Sequence, residues 1–373
     1  MEIVNLIIHN IFSFVAVISL IVFIHEFGHF WMARLCGVKI EEFAIGFGKE
    51  IFGFYDKKRT RWKFCLLPFG GYVKMYGDRN AASMCDEEFV KTLNNQQKKQ
   101  LFVTKSVYQR MVIVAAGPLA NFLLAIFLFT ILFKINGIRV VEPVVGSVME
   151  GRAAAIAGIK AQDRILRIDD KIIKEFDDLH FAVIESMGEK LQFEIERKID
   201  DKLQILKIDV TPQMQTTKDA FGDEVKLPMI GIVTTDATHR NLNLWQAFTT
   251  ANYETYKMSK MILITVKDLL IGKRDIKELQ GPIKIAQYSS KSVKMGLTML
   301  LWFMAIISIN LGVMNILPLP VLDGGHLFFY FIELLFGKPL PQKVQQLGYS
   351  FGFAAVLSLM LFTTFNDVIN LFR

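Results

Sequence analysis

Four stretches of the chain, residues 3–24, 111–133, 295–322 and 344–366, are apolar and contain no Asp, Glu, Lys or Arg. A membrane-crossing helix needs about 20 mostly apolar residues. Helices buried in soluble proteins rarely run so far without a charge, so four transmembrane helices are expected. The first run has neither a basic leader nor a small-residue cleavage site, and it reads as a retained helix rather than a secretory signal. After it the periodicity changes. Residues 43–54 mix aromatics with Gly46, Gly48 and Gly53, residues 62–67 are short and apolar, and Lys57-Lys58-Arg59-Thr60 makes a polar turn between them. This predicts strands over 40–75, paired as a β-hairpin. Residues 76–106, rich in Asn, Gln and Lys, read as an exposed amphipathic or loose segment.

Between the second and third runs the chain carries ordinary charge, and short strands alternate with short helices. Strands are expected at 144–148, 165–171, 191–197 and 203–210. Helices are expected at 153–159, closed by Gly158, and at 177–187. A linker follows, with a strand-like piece at 227–233 and a helix over Leu244–Leu270. That helix mixes Trp245, Phe248, Tyr253 and Tyr256 with lysines, a pattern suited to a membrane interface or to packing on the inserted domain. The domain plan is therefore 1–35, first transmembrane helix; 36–106, loop with hairpin; 107–137, second helix; 138–212, inserted α+β domain; 213–292, linker with interfacial helix; and 293–373, third and fourth helices.

Composition agrees with this plan. Apolar residues make up 52% and charged residues 21% of 373, which excludes a simple soluble enzyme, a disordered chain and a collagen-like or disulfide scaffold. The net charge of +7 is explained by its placement rather than by nucleic acid. Between Arg34 and Arg110, Lys and Arg outnumber Asp and Glu by 15 to 8, and the third loop carries Lys338 and Lys343. By the positive-inside rule these loops face the cytoplasm, and both termini and the inserted domain face the other side. Cys36, Cys65 and Cys85 all fall in the first loop, where thiols stay reduced, and their spacing fits no zinc knuckle.

The chemistry sits at the ends of the apolar runs. His25-Glu26-Phe27-Gly28-His29 places two imidazoles one helical turn apart on one face, with a carboxylate between them. Such a pair can ligate Zn²⁺ while the Glu acts on a water. Two core histidines with a capping Glu would be the bland alternative, but ionisable groups at membrane depth are costly and usually functional. A catalytic zinc needs a third protein ligand. Asp323 is the only carboxylate for more than 25 residues on its N-terminal side, and Pro318 and Pro320 ahead of it cannot continue a regular helix. The third run should therefore turn from helix to extended chain near Asn315, with Gly324-Gly325 permitting a turn that swings Asp323 inward. The competing role for Asp323 is a helix N-cap. His326 could orient a ligand or be a local histidine, and His9 lies about four turns away from the pair.

His25-Glu26-x-x-His29 together with Asn315-x-x-Pro318-x-Pro320-x-Leu322-Asp323-Gly324 resembles the site-2 protease family of intramembrane zinc metalloproteases. Residues 69–75, the stretch Ala116-Gly117-Pro118-x-Ala120-Asn121-Phe122, and Gly281-Pro282-Ile283 extend the likeness over nearly the whole chain. The branch resembled is that of regulator-of-sigma-E protease, and residues 138–212 resemble a permuted PDZ domain in a single-PDZ form. Gln162 stands where that domain commonly has glycine. The resemblance implies that His25, His29 and Asp323 bind Zn²⁺ and that Glu26 is the general base. Asn310, Asn315, Pro318 and Pro320 would hold the substrate's unwound backbone, although helix packing would equally occupy Asn310. The hairpin, with Gly46 and Gly48, would dip into the membrane and offer a strand edge to the substrate. The implied fold is a polytopic α-helical membrane protein with four transmembrane helices, a membrane-associated β-hairpin and one inserted PDZ domain. The expected location is the bacterial inner membrane. The expected partners are single-pass membrane substrates, such as anti-sigma factors or remnant signal peptides, with peptide termini at the PDZ groove unless that domain acts only as a filter. Two rival readings are a non-catalytic PDZ-bearing membrane protein and a metal transporter. Glu26 speaks against the first, and the absence of a visible inverted repeat speaks against the second.

Overall fold

A computed structural model describes residues 2–78, 90, 92–234 and 237–371. The described chain divides into two compact units, residues 1–132 with 248–373, and residues 133–247.

The first unit begins with helix α1, Glu2–Leu35. It runs unbroken through the His-Glu-x-x-His segment because no proline precedes Gly37, whose left-handed φ of 71° follows its end. Two long strands follow, β1 (Ile40–Tyr55) and β2 (Arg61–Met75). They are more than a simple hairpin. Ile40–Ile45 faces Gly71–Met75 on one side and, from Glu42 onward, Arg61–Phe64 on the other, while Phe47–Tyr55 pairs with Arg61–Leu67. Each strand thus doubles back on itself, giving four adjacent ribbons with Gly71–Met75 along one outer edge. The reversals fall at glycines. Gly46 has φ 87° and a Cβ there would meet the Leu67 carbonyl oxygen at 2.6 Å; Gly70 has φ 111° and would strike the Phe47 ring. The base of the sheet is packed into the end of α1. Phe43 lies 4.5 Å from Trp62 and 5.2 Å from Phe30 between ring centres, and Val38, Ile40, Val73 and Met75 complete the cluster. Its tip exposes Ile51, Phe52, Leu66 and Leu67, an apolar surface suited to lipid.

Residues 79–89 and Cys85 lie outside the described residues. The described remainder of the segment expected to be loose is anchored. Leu101 and Phe102 are buried, and Lys39 N–H donates to the Gln100 carbonyl at 3.1 Å. A short apolar run, Leu101-Phe102-Val103, inside a polar segment gave too little pattern to announce this docking. Helix α2, Val107–Asn136, then contains Pro118.

The second unit holds strands β3 (Ile138–Val140) and β4 (Val145–Val148), helix α3 (Ala153–Ala157), β5 (Arg164–Ile168), β6 (Lys171–Ile172), helix α4 (Phe176–Glu185), β7 (Leu191–Ile199) and β8 (Lys202–Val210). The sheet order is β6-β5-β7-β8. Alternate residues of β7 (Leu191, Phe193, Ile195) point into a core shared with Ile165, Ile168, Leu179 and Val183. Asp163, fully buried, accepts two bonds from Arg197 at 2.7 and 2.6 Å, an arrangement that neutralises its charge. Gln162 sits at φ 72°, so the side chain found where glycine is common is held in a left-handed conformation. The unit does not end near residue 212. Strands β9 (Gln213–Lys218) and β10 (Glu224–Met229) form a hairpin, β11 (Ile232–Thr234) returns to β4, and β12 (Thr238–Arg240) returns to β3. Only these long-range pairings reveal that the closing strands belong to the domain rather than to a linker.

Helix α5, Leu244–Leu270, matches the expected bounds. Helix α6 (Pro282–Lys294) starts at proline, which has no N–H to leave unpaired, and packs on α1. Helices α7 (Leu297–Ile316), α8 (Asp323–Phe336) and α9 (Gln342–Leu371) complete the first unit. Asp367 of α9 caps α6, accepting from the Gly281 and Lys284 N–H groups at 3.0 Å each. Among the described residues, four helical segments are long and apolar enough to cross a membrane: Phe12–Leu35, Val107–Asn136, Leu297–Ile316 and Lys343–Ile369. The chain is a membrane protein whose helices are joined by β elements.

Candidate metal centre

Three elements bring the centre together. His25 and His29 lie one turn apart near the end of α1, as a continuous helix requires. Helix α7 ends at Ile316, because Pro318 and Pro320 cannot supply the next N–H groups, and the chain runs non-helically to Leu322 before α8 begins at Asp323. Gly324 and Gly325 do not make the expected turn. Neither has a left-handed φ, and both lie in the first turn of α8, where a Cβ would come within 2.1 Å of the Ile316 and 2.3 Å of the Leu319 carbonyl oxygens. Their lack of side chains lets the incoming strand press against the new helix, and that close approach delivers Asp323.

Asp323 Oδ2 lies 3.2 Å from His25 Nε2 and 3.4 Å from His29 Nε2, and the two Nε2 atoms are 3.3 Å apart. A tetrahedral site with bonds of about 2.0–2.2 Å has edges of about 3.3–3.6 Å, so the donor triangle is zinc-sized. Its electronics fit as well. His29 Nδ1 lies 3.0 Å from the Ile113 carbonyl oxygen. A carbonyl only accepts, so the His29 proton is on Nδ1 and Nε2 offers a lone pair. Asp323 Oδ2 is buried without a hydrogen-bond partner. Electron pairs facing one another in a dry pocket are stable only around a cation. Gly117 of α2 leaves the necessary room, since a Cβ there would fall 2.2 Å from His29 Nε2. Next to it Pro118 has no N–H for the Val114 carbonyl, so the helix ladder is one bond short beside the Ile113 acceptor.

Glu26 follows His25 on the same helix, and its Cγ would lie 3.2 Å from a Cβ on Gly71, so the outer ribbon of the sheet abuts it. Its carboxylate makes no hydrogen bond among the described residues. Asn310 is exposed on α7 and Asn315 half-buried at the penultimate position of that helix, neither with a side-chain partner among the described residues. Pro318 and Pro320 form the bend before Asp323. Gly46 and Gly48 lie at a fold-back of the sheet. His326 Nδ1 lies 3.1 Å from the Tyr349 hydroxyl rather than at the donor triangle, and the side chain of His9 lies outside the described residues. Sequence reasoning missed Gly117, Asn121, Gly71 and the Ile113 carbonyl. The run from Ala116 to Phe122 was visible as a motif, but nothing local assigns it a role.

A sequence profile of peptidase family M50 matches residues 13–359. A relative from Agrobacterium fabrum, provisionally named a zinc metalloprotease, is 37% identical over 365 residues, covering 97% of this chain and 96% of its own. Metalloprotease MmpA of Caulobacter vibrioides is 33% identical over 379 positions, with 95% and 94% covered. The regulator of sigma E protease of Haemophilus influenzae is 31% identical over 446 positions, with 96% and 98% covered. A match of this extent, on a chain whose two histidines and distant aspartate meet in space, leaves neither a transporter nor a catalytically silent binding protein: the chain belongs to peptidase family M50, the site-2 proteases, and is a zinc-dependent metalloendopeptidase.

Proposed function

We propose that this enzyme cleaves single-pass membrane proteins within or beside their transmembrane segments, with His25, His29 and Asp323 as the zinc ligands and Glu26 as general base. The observation that carries this reading is the zinc-sized donor triangle built on an apolar helix long enough to span a membrane. Zinc, when bound, polarises the scissile carbonyl and acidifies a water. Glu26, free of other hydrogen bonds, takes the water's proton and returns it to the amine that leaves as the C–N bond breaks. A transmembrane helix hides its peptide groups in its own hydrogen bonds and must unwind to be cut. The Gly71–Met75 ribbon beside Glu26 offers replacement partners by strand addition. Asn310 and Asn315, without side-chain partners of their own, can bind the same unwound backbone.

The second unit is read as one PDZ domain, supported by its strand and helix order and by the returning β11 and β12. The sigma-E relative aligns over 446 positions against 373 residues here, so that relative carries residues with no counterpart in this chain. By the charge distribution, the sheet and the loop after α8 are cytoplasmic, and the termini and second unit lie outside the bacterial inner membrane. Anti-sigma factors and remnant signal peptides are the substrate classes proposed. The test is co-expression with a panel of tagged single-pass proteins, comparing wild type with Glu26→Gln. The variant should bind zinc yet cleave at least about a hundredfold more slowly. Near-normal cleavage would remove the mechanism.

A further inference from the structure

The Ile113 carbonyl explains how His29 presents its lone pair, but His25 has a different neighbour. Its Nδ1 faces the amide of Asn121, a completely buried residue of α2, at 3.1 Å. With Nδ2 toward the ring, as placed here, the amide donates to Nδ1. A neutral imidazole must then carry its proton on Nε2, the atom 3.2 Å from Asp323 Oδ2, and no lone pair remains there for a metal. That orientation also leaves Asn121 Oδ1 buried with no hydrogen-bond partner. Turning the amide by half a revolution puts Oδ1 at the ring, where it accepts from Nδ1–H and frees His25 Nε2. The Ile113 carbonyl already does this for His29 from the same helix.

We propose that Asn121 is a positioning residue for the metal centre, its amide oxygen holding His25 with the proton on Nδ1 so that Nε2 faces the metal. The role rests on the assignment of His25 as a ligand. It is separable from a packing role, because Ser308 Oγ bonds the Asn121 backbone carbonyl at 2.8 Å and that link survives any side-chain change. A metal-bound histidine whose ring partner is removed typically loses 10–100-fold in metal affinity.

The test uses the full-length chain purified in detergent. Zinc affinity is measured by competition with a chromophoric chelator, and the ligand-field spectrum is recorded after Co²⁺ substitution. Asn121→Leu keeps the volume without an acceptor and should weaken zinc binding by about 10–100-fold and alter the Co²⁺ bands. Asn121→Asp keeps the acceptor and should retain near wild-type affinity and spectrum. Wild-type affinity in Asn121→Leu overturns the proposal, and so does an equal loss in both variants, which would mark the site as packing alone. His25→Ala and Asp323→Ala run alongside. Full zinc in those two would instead sink the ligand assignment.

Discussion

Gly117→Ala sets two effects of known sign against each other. In an exposed helix the exchange stabilises by about 1 kcal/mol, because alanine has the higher helix propensity. At this position the new Cβ would stand 2.2 Å from His29 Nε2, 2.5 Å from Cε1 and 2.9 Å from Cδ2. Carbon and nitrogen rest at roughly 3.5–4.0 Å, so the ring or the helix must yield by more than 1 Å. The ring has little freedom. His29 is tied through Nδ1 to the Ile113 carbonyl, and α1 presses on α2 so closely that Gly28 would meet the Ala116 oxygen at 2.3 Å were it alanine. Overpacking of this kind costs about 1–3 kcal/mol, which offsets or exceeds the propensity gain, and a misplacement of about 1 Å at a catalytic group can cost 10²-fold in rate. The expected result is a protein of similar or slightly lower thermal stability, with zinc affinity down by about tenfold or more and turnover down by about a hundredfold. Zinc titration, thermal unfolding in detergent and cleavage of a tagged substrate measure the three quantities. Leu119→Ala, on the exposed face of the same helix, is the control. Wild-type zinc affinity and turnover in Gly117→Ala would refute the claim that this position is kept bare for the His29 ring.

Two more outcomes follow from the sheet and the topology. Proline placed in turn at Tyr72, Val73 and Lys74 removes N–H groups from the outer ribbon, and should slow cleavage while zinc content stays at the wild-type level; unchanged turnover in all three would deny that ribbon a role in strand addition. In a cysteine-free background, a membrane-impermeant maleimide applied to intact cells or spheroplasts should label Ser147→Cys in the second unit and leave Lys338→Cys unlabelled until the membrane is opened. The reverse pattern would invert the proposed orientation.

Local pattern was enough for much of this protein. Runs of about 20 uncharged apolar residues predict spans wherever they occur, and each of the four runs overlaps a long apolar helix, the first extending past its run to Leu35. The spacing of His25 and His29 fixes their shared helix face, and Pro318 and Pro320 fix the end of α7 within two residues. Helix α5 was legible from its aromatics mixed with lysines. Each of these depends on neighbours a few residues away. What escaped depends on residues far apart in sequence. The doubling back of β1 and β2 rests on pairings such as Phe43 with both Trp62 and Val73, and strand propensity carries no information about which edge a strand will choose. The second unit runs past residue 212 because β11 and β12 pair with β4 and β3 nearly a hundred residues earlier, a choice made by sheet edges rather than by composition. The diglycine after Asp323 promised a turn, but packing against the Ile316 and Leu319 carbonyls made it a close helix contact. In the candidate metal centre the sequence supplied the proposed ligand types, and only tertiary packing decided their geometry. His25, His29 and Asp323 come within about 3.3 Å of one another because Gly117 gives up its side chain, the Ile113 carbonyl and Asn121 hold the rings, and α8 is pressed against the end of α7. A lone pair can be aimed only by a partner in space, and that partner lies on another helix.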